Sequence, residues 1–187
     1  MKFEKGYIYH VYNRGNNSER ICYSSSNYRF FADKIRLNIL PYADLLAWCL
    51  MPTHFHLMIL VKNPDISSKT INQSIGMLLT SYARAINLQE TRTGSLFQQH
   101  TKSICLNENT RLTKSWYKSM GVTKIPNRNE KFDYPMVCMN YIHLNPVKSG
   151  LVLKCEDWKW SSYCEIYGFN SVIKLVNLES LKNVVPL

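Results

Sequence analysis

The stretch Asp44 to Lys62, "DLLAWCLMPTHFHLMILVK", constrains this chain more than any other part of it. It is apolar and β-rich apart from its centre. Proline cannot donate to a strand ladder, so "MPT" reads as a tight link. The link joins two strands, Asp44–Leu50 and His54–Lys62, that pair as a hairpin. Two histidines stand one residue apart in the second strand. Side chains alternate along a strand, so His54 and His56 share a face and Phe55 takes the other, with the histidine Cα atoms roughly 6.5 Å apart. Two imidazoles at that separation can converge on one cation, or can be two unrelated histidines. The spacing leaves both readings open. Leu57, Ile59 and Val61 complete no metal motif, so a further ligand must come from elsewhere in the chain.

The flanking segments place the hairpin in a fold. Gly6–Asn13, "GYIYHVYN", alternates as a first strand, and "RGNN" is a turn. Asn27–Leu40 carries Phe30, Phe31, Ile35 and Ile39 at helical spacing, and Pro41 stops it. After the loop "NPDISS", with Ser67 or Ser68 as cap, Thr70–Leu88 predicts a long helix whose apolar stripe includes Ile71, Ile75, Leu78 and Tyr82. "TGSLFQQ" turns into a short strand at Lys102–Leu106. The order strand, helix, strand, strand, helix, strand is the split β-α-β pattern of a ferredoxin-like α+β sheet. Such a sheet has helices on one face and leaves the other open. Asn107–Lys131 is polar, basic and poorly periodic, and reads as an insertion or mobile loop. Tyr134–Leu144 predicts a helix, followed by a turn or short helix from Pro146. Residues 164–187 read as a C-terminal tail. No repeat, low-complexity segment or domain boundary is visible, and 187 residues support one core, so 1–187 reads as a single domain.

Charge and cysteines narrow the function classes. Lysine and arginine number 23 against 13 aspartates and glutamates, a net charge of +10. Such an excess points to a polyanionic partner, nucleic acid first, or to a solvated basic face. The six cysteines form no C-x-x-C, which argues against a zinc knuckle or a redox pair. Cys49, Cys105 and Cys138 sit among apolar neighbours and read as small buried residues. Met1–Arg14 is polar and charged, unlike a signal peptide, and no apolar run is long enough to span a membrane. The expectation is a cytoplasmic protein without a membrane partner.

A second constellation lies in "NYIHLNPVKSG", residues 140–150. Tyr141 and Asn145 are four apart and share a helical face, whereas His143 faces elsewhere. Asn followed by Pro is also a helix-start signature, and a tyrosine at helical spacing is often packing. Both readings stay open on the residues alone.

Taken together, the histidine-hydrophobe-histidine strand, the Tyr-x-x-x-Asn-Pro helix, "GSLFQ" before a strand and "WKWSSY" near the end resemble the single-tyrosine HUH transposases. The resemblance is strongest to REP-associated tyrosine transposases and their insertion-sequence relatives. It runs from about Tyr7 to Tyr163, the 107–131 stretch excepted, and "QHTK" replaces the basic residue usual after "LFQ". It implies a tyrosine helix over the strand of the two histidines, and metal-dependent cleavage and rejoining of single-stranded DNA with hairpin or repeat structure. His54, His56 and Asn145 would hold Mg²⁺ or Mn²⁺, and Tyr141 would form a 5′-phosphotyrosine. Insertion-sequence relatives tend to be dimers and REP-associated ones can be monomers, so a homodimer and a monomer both stay open. Asn13, Arg14, Asn16, Arg84, Arg92, Lys102 and Lys148 are candidate DNA contacts. Trp158, Trp160 and Tyr163 either stack on bases or, more in keeping with their type, pack in the core. Two readings compete: a domesticated or non-catalytic nucleic-acid binder on the same fold, and a metal-dependent hydrolase acting through water, which needs no Tyr141.

Overall fold

In the computed structural model, which describes residues 2–107, 117–119, 122–124 and 133–186, the hairpin is the spine of a four-stranded antiparallel sheet. In chain order the elements are β1 (Ile8–Arg14), α1 (Ser25–Asn38), β2 (Ala43–Leu50), β3 (His54–Val61), β4 (Asp65–Ile66), β5 (Lys69–Thr70), α2 (Ile71–Gln89) and β6 (Lys102–Cys105). Then follow β7 (Tyr117–Ser119), β8 (Val122–Lys124), α3 (Asp133–Lys148), α4 (Tyr163–Ile166) and α5 (Leu178–Lys182). The sheet order is β2-β3-β1-β6, the ferredoxin-like arrangement predicted from the element order. Of the 107–131 stretch, β7 and β8 pair as a small ribbon, and its other residues after Asn107 lie outside the described ones.

Strand alternation sorts the core into two layers. On one face Tyr9 and Val11 of β1, Phe55, Leu57 and Ile59 of β3, and Trp48 and Leu50 of β2 pack against Phe31, Ile35, Leu78 and Tyr82 of α1 and α2. On the other, Ile8, Cys49 and Met58 pack beneath Cys138, Met139 and Ile142 of α3 and Leu181 of α5. A bulge between Leu45 and Ala47 shifts the phase of β2, so Leu45 and Trp48 both reach the first layer. The face expected to be open is therefore covered over β2 and β3. Residues 164–187, read as a tail, contribute to that cover: Leu181 and Val185 are fully buried.

Two local expectations are corrected. Ser67 and Ser68 do not cap α2. Both have positive φ (48° and 65°) and form the turn between β4 and β5, while Thr70 is the cap. Its Oγ1 accepts from the Gln73 amide at 3.2 Å and the Gln73 side chain accepts from the Thr70 amide at 2.8 Å, a capping box. Nor does Asn145 start a second helix, because α3 runs through Pro146 to Lys148. Pro146 has no N–H to give the Ile142 carbonyl, a loss that falls in the last turn of the helix. Here Gly150 at φ 67° closes the last turn, its amide bonding to the Val147 carbonyl and that of Leu151 to the Pro146 carbonyl.

"WKWSSY" serves packing. The Leu50 amide bonds to the Trp160 carbonyl and the Ser162 amide to the Trp48 carbonyl, which covers the free edge of β2. Trp160 is buried and stacks on Tyr28 at 4.7 Å, and the Trp158 indole donates to the Leu50 carbonyl. Ser162 Oγ also lies 2.8 Å from His143 Nε2, tying α3 to this segment.

His143 is almost completely buried, and burial pushes its pKa down from 6.5 to about 4. Within that window the unfolded chain binds a proton that the fold refuses. Stability is therefore full above about pH 6.5 and is lost as the pH falls toward 4, by up to ~1.4 kcal/mol per unit for one such ring. His10 on β1, also pushed down to about 4 by burial, acts in the same sense. The urea midpoint is expected to drop across this window, and His143→Gln to make the drop shallower. An identical slope in the variant would show that His143 does not carry it.

Candidate active site

Antiparallel pairing of β1 with β3 sets Tyr12 opposite His56, Arg14 opposite His54 and His10 opposite Met58. The same-face residues of β1 thus neighbour the histidine pair. The rings of His54 and His56 lie 5.1 Å apart. Helix α3 crosses above, and its Tyr141 ring stands 5.4 Å from that of His56. Tyr141 is 42% exposed and forms part of the wall of a cleft of about 220 Å³ over the two histidines. Tyr12 and Arg14 line another side, and Gln98, His100 and Lys102 a third. The last group is brought in by a short link: the Gln98 amide donates to the Arg14 carbonyl, and Gly15 bridges Phe97. Only glycine fits there, since a Cβ would sit 2.2 Å from the Glu19 carbonyl oxygen.

Asn145, one turn beyond Tyr141, joins the helix to the strand. Its Nδ2 donates to the Tyr141 carbonyl at 2.8 Å, and its side chain sits near enough to the His54 ring and the Tyr141 hydroxyl to raise the pKa of the one and lower that of the other, against the larger effect of burial on each. The ring nitrogens of the histidines are unequally occupied. His54 Nδ1 is 3.0 Å from Thr53 Oγ1, and His56 Nδ1 is 2.9 Å from His10 Nε2. His56 Nε2 is buried and has no hydrogen-bond partner among the described residues. Burial, with the neighbouring His10 and His54, pushes the pKa of His56 down to about 2. Burial also lowers that of His54, partly opposed by Asn145. Both rings are neutral at pH 7, the form that ligates cations. Two imidazoles and an amide oxygen make a donor set that fits a divalent ion with positions left for other oxygen ligands. Among the described residues no group of three His, Cys, Asp or Glu converges as for a metal ion.

Burial raises the pKa of Tyr141, so its hydroxyl is protonated at neutral pH. The Lys148 ammonium lies 5.4 Å from the centre of its ring. The other predicted contacts divide. Arg14 and Lys102 are exposed at the cleft. Asn13 is buried, its amide donating to the Gln98 carbonyl and Thr101 Oγ1. Asn16 donates to the Ser95 carbonyl, and Arg92 pairs with Glu19. Arg84 sits on α2 in a separate groove beside Phe97. His10, Tyr12 and His100 were not anticipated. Alternation along "YHVYNR" puts His10 and Tyr12 on one face, and a ferredoxin-like order makes that strand the neighbour of β3, so the signal for those two was present.

No family model matches this sequence, and no curated protein matches it. The folded chain is similar to the solved structure of a REP-associated tyrosine transposase bound to a REP hairpin. The TM-score is 0.60 over 95% of this chain and 90% of that one, at 17% sequence identity. The likeness establishes a shared fold, which in this chain is an α+β arrangement around an antiparallel sheet. No described helix is long and apolar enough to cross a membrane.

Proposed function

We propose that this protein cleaves and rejoins single-stranded DNA at hairpin or repeat sequences through a 5′-phosphotyrosine at Tyr141. The observation that supports this best is the meeting of Tyr141 and the two histidines in one basic-rimmed cleft, with Asn145 one turn along the same helix. The transposase of similar fold is bound to a REP hairpin, which supports DNA of that kind as partner. His54, His56 and Asn145 would hold Mg²⁺ or Mn²⁺, with imidazole favouring the manganese ion. When bound, the ion would polarise the scissile phosphate as a Lewis acid.

Tyr141 supplies the nucleophile. Its oxygen bonds to the scissile phosphorus, the bond to the 3′ oxygen breaks, and the phenol proton is balanced by the proton gained on the released 3′-hydroxyl. A phosphate ester replaces a phosphate ester, so rejoining requires no ATP. A protonated phenol is a weak nucleophile at neutral pH, and Lys148 beside the ring favours the phenolate as the proton leaves. Arg14 and Lys102 hold the DNA backbone at the cleft.

The test is a covalent trap. Wild-type protein with Mn²⁺ and single-stranded hairpins from the flanks of its own gene is expected to give an adduct that survives SDS and vanishes with EDTA. Cleavage without an adduct would favour water as nucleophile, and binding without cleavage would favour a non-catalytic role.

A further inference from the structure

His10 is a buried polar ring outside the sequence motif, and it contacts the motif from the neighbouring strand. It lies diagonally across the ladder from His56, stacked on Tyr12 with ring centres 4.8 Å apart and edge-on to Tyr141 at 6.0 Å. These contacts hold its orientation. Its Nε2 is 2.9 Å from His56 Nδ1. A neutral imidazole has one N–H and one lone pair, so one of these two nitrogens must donate and the other accept.

The far side of His56 decides which. If His56 accepted at Nδ1, its proton would sit on Nε2, a buried atom with no acceptor among the described residues. An N–H buried without an acceptor gives up its water for nothing, a heavier loss than an unpaired lone pair. The proton would also project from the nitrogen that has to ligate. If His56 donates from Nδ1 to His10, Nε2 keeps its lone pair and satisfies it on a cation. We infer that His10 is a positioning residue that holds His56 in the Nδ1–H tautomer with the Nε2 lone pair free for a divalent cation. Thr53 Oγ1, 3.0 Å from His54 Nδ1, plays the matching part for the other ligand. This inference rests on the cation site proposed above.

Two measurements test it. Nitrogen NMR of histidine-labelled, metal-free wild type reads the tautomer of His56 directly, and Nδ1 is expected to carry the proton. Calorimetric Mn²⁺ titration then compares wild type with His10→Gln, whose amide oxygen can still accept, and His10→Leu, which cannot. His10→Gln should keep the affinity within about threefold, and His10→Leu should weaken it by about 10–100-fold. A proton on Nε2, or a folded His10→Leu that binds Mn²⁺ as wild type does, overturns the proposal. If His10→Leu does not fold, the wild-type tautomer and the His10→Gln affinity still decide it. Wild type that binds no Mn²⁺ removes the cation site itself, an outcome distinct from an incorrect tautomer because the nitrogen shifts are read without metal.

Discussion

Tyr141→Phe is expected to abolish the SDS-stable adduct, lowering its yield by at least ~10³-fold while leaving the fold, Mn²⁺ binding and hairpin binding unchanged. The change deletes one oxygen from a ring that is 42% exposed, so the packing against His10 and His56 survives. The Asn145 side chain keeps its bond to the Tyr141 main-chain carbonyl, which the variant retains. Only the nucleophile is lost, and no other hydroxyl on α3 takes its place: the phenol of Tyr134 lies two turns away on the helix. The readout separates the competing chemistries. Residual cleavage at wild-type rate would mean that water attacks and Tyr141 only packs over the cleft. An adduct that persists in the variant would move the nucleophile to another residue, with Tyr12 at the cleft the first to examine.

What was legible beforehand follows from how far each interaction reaches along the chain. The hairpin, both long helices and the sheet order rest on periodicity and turn chemistry, which are local. His54 and His56 were placed on one face by alternation alone. Tyr141 and Asn145 were placed on one face by helical spacing, but no local rule sets that face over β3. That placement depends on Met139 and Ile142 burying against Cys49 and Met58, contacts made across most of the chain. The same limit explains the misplaced break at Pro146. Asn-Pro is a start signal in isolation, and the helix runs on because Ile142, His143 and Pro146 are already buried in the packed layer. Asn13 illustrates the reverse case. A polar residue after a first strand resembles a surface contact until the fold brings Gln98 and Thr101 beside it.

Phe31→Ala is expected to cost about 3–5 kcal/mol of stability, which lowers the melting temperature by about 6–20 °C in a chain of this size. Phe31 is fully buried on α1 and its ring meets Tyr82 at 4.7 Å, Phe55 at 5.1 Å and Phe97 at 6.4 Å. It therefore touches α2, the central strand and the segment that leads into β6. Phe55 stands between the two histidines of β3 on the opposite face, and Phe97 precedes the Gln98–Lys102 wall of the cleft. A cavity at Phe31 removes support from both. Phe31→Leu fills most of the space and should cost less than half as much, which separates the cavity from a loss of aromatic contacts. Urea unfolding of the two variants gives the numbers. A loss under about 1 kcal/mol for Phe31→Ala would mean that the layer beneath the sheet repacks freely. The histidine strand could then not owe its rigidity to that layer, and the geometry of the cleft would have to be held from above, by α3 and its tie to Ser162.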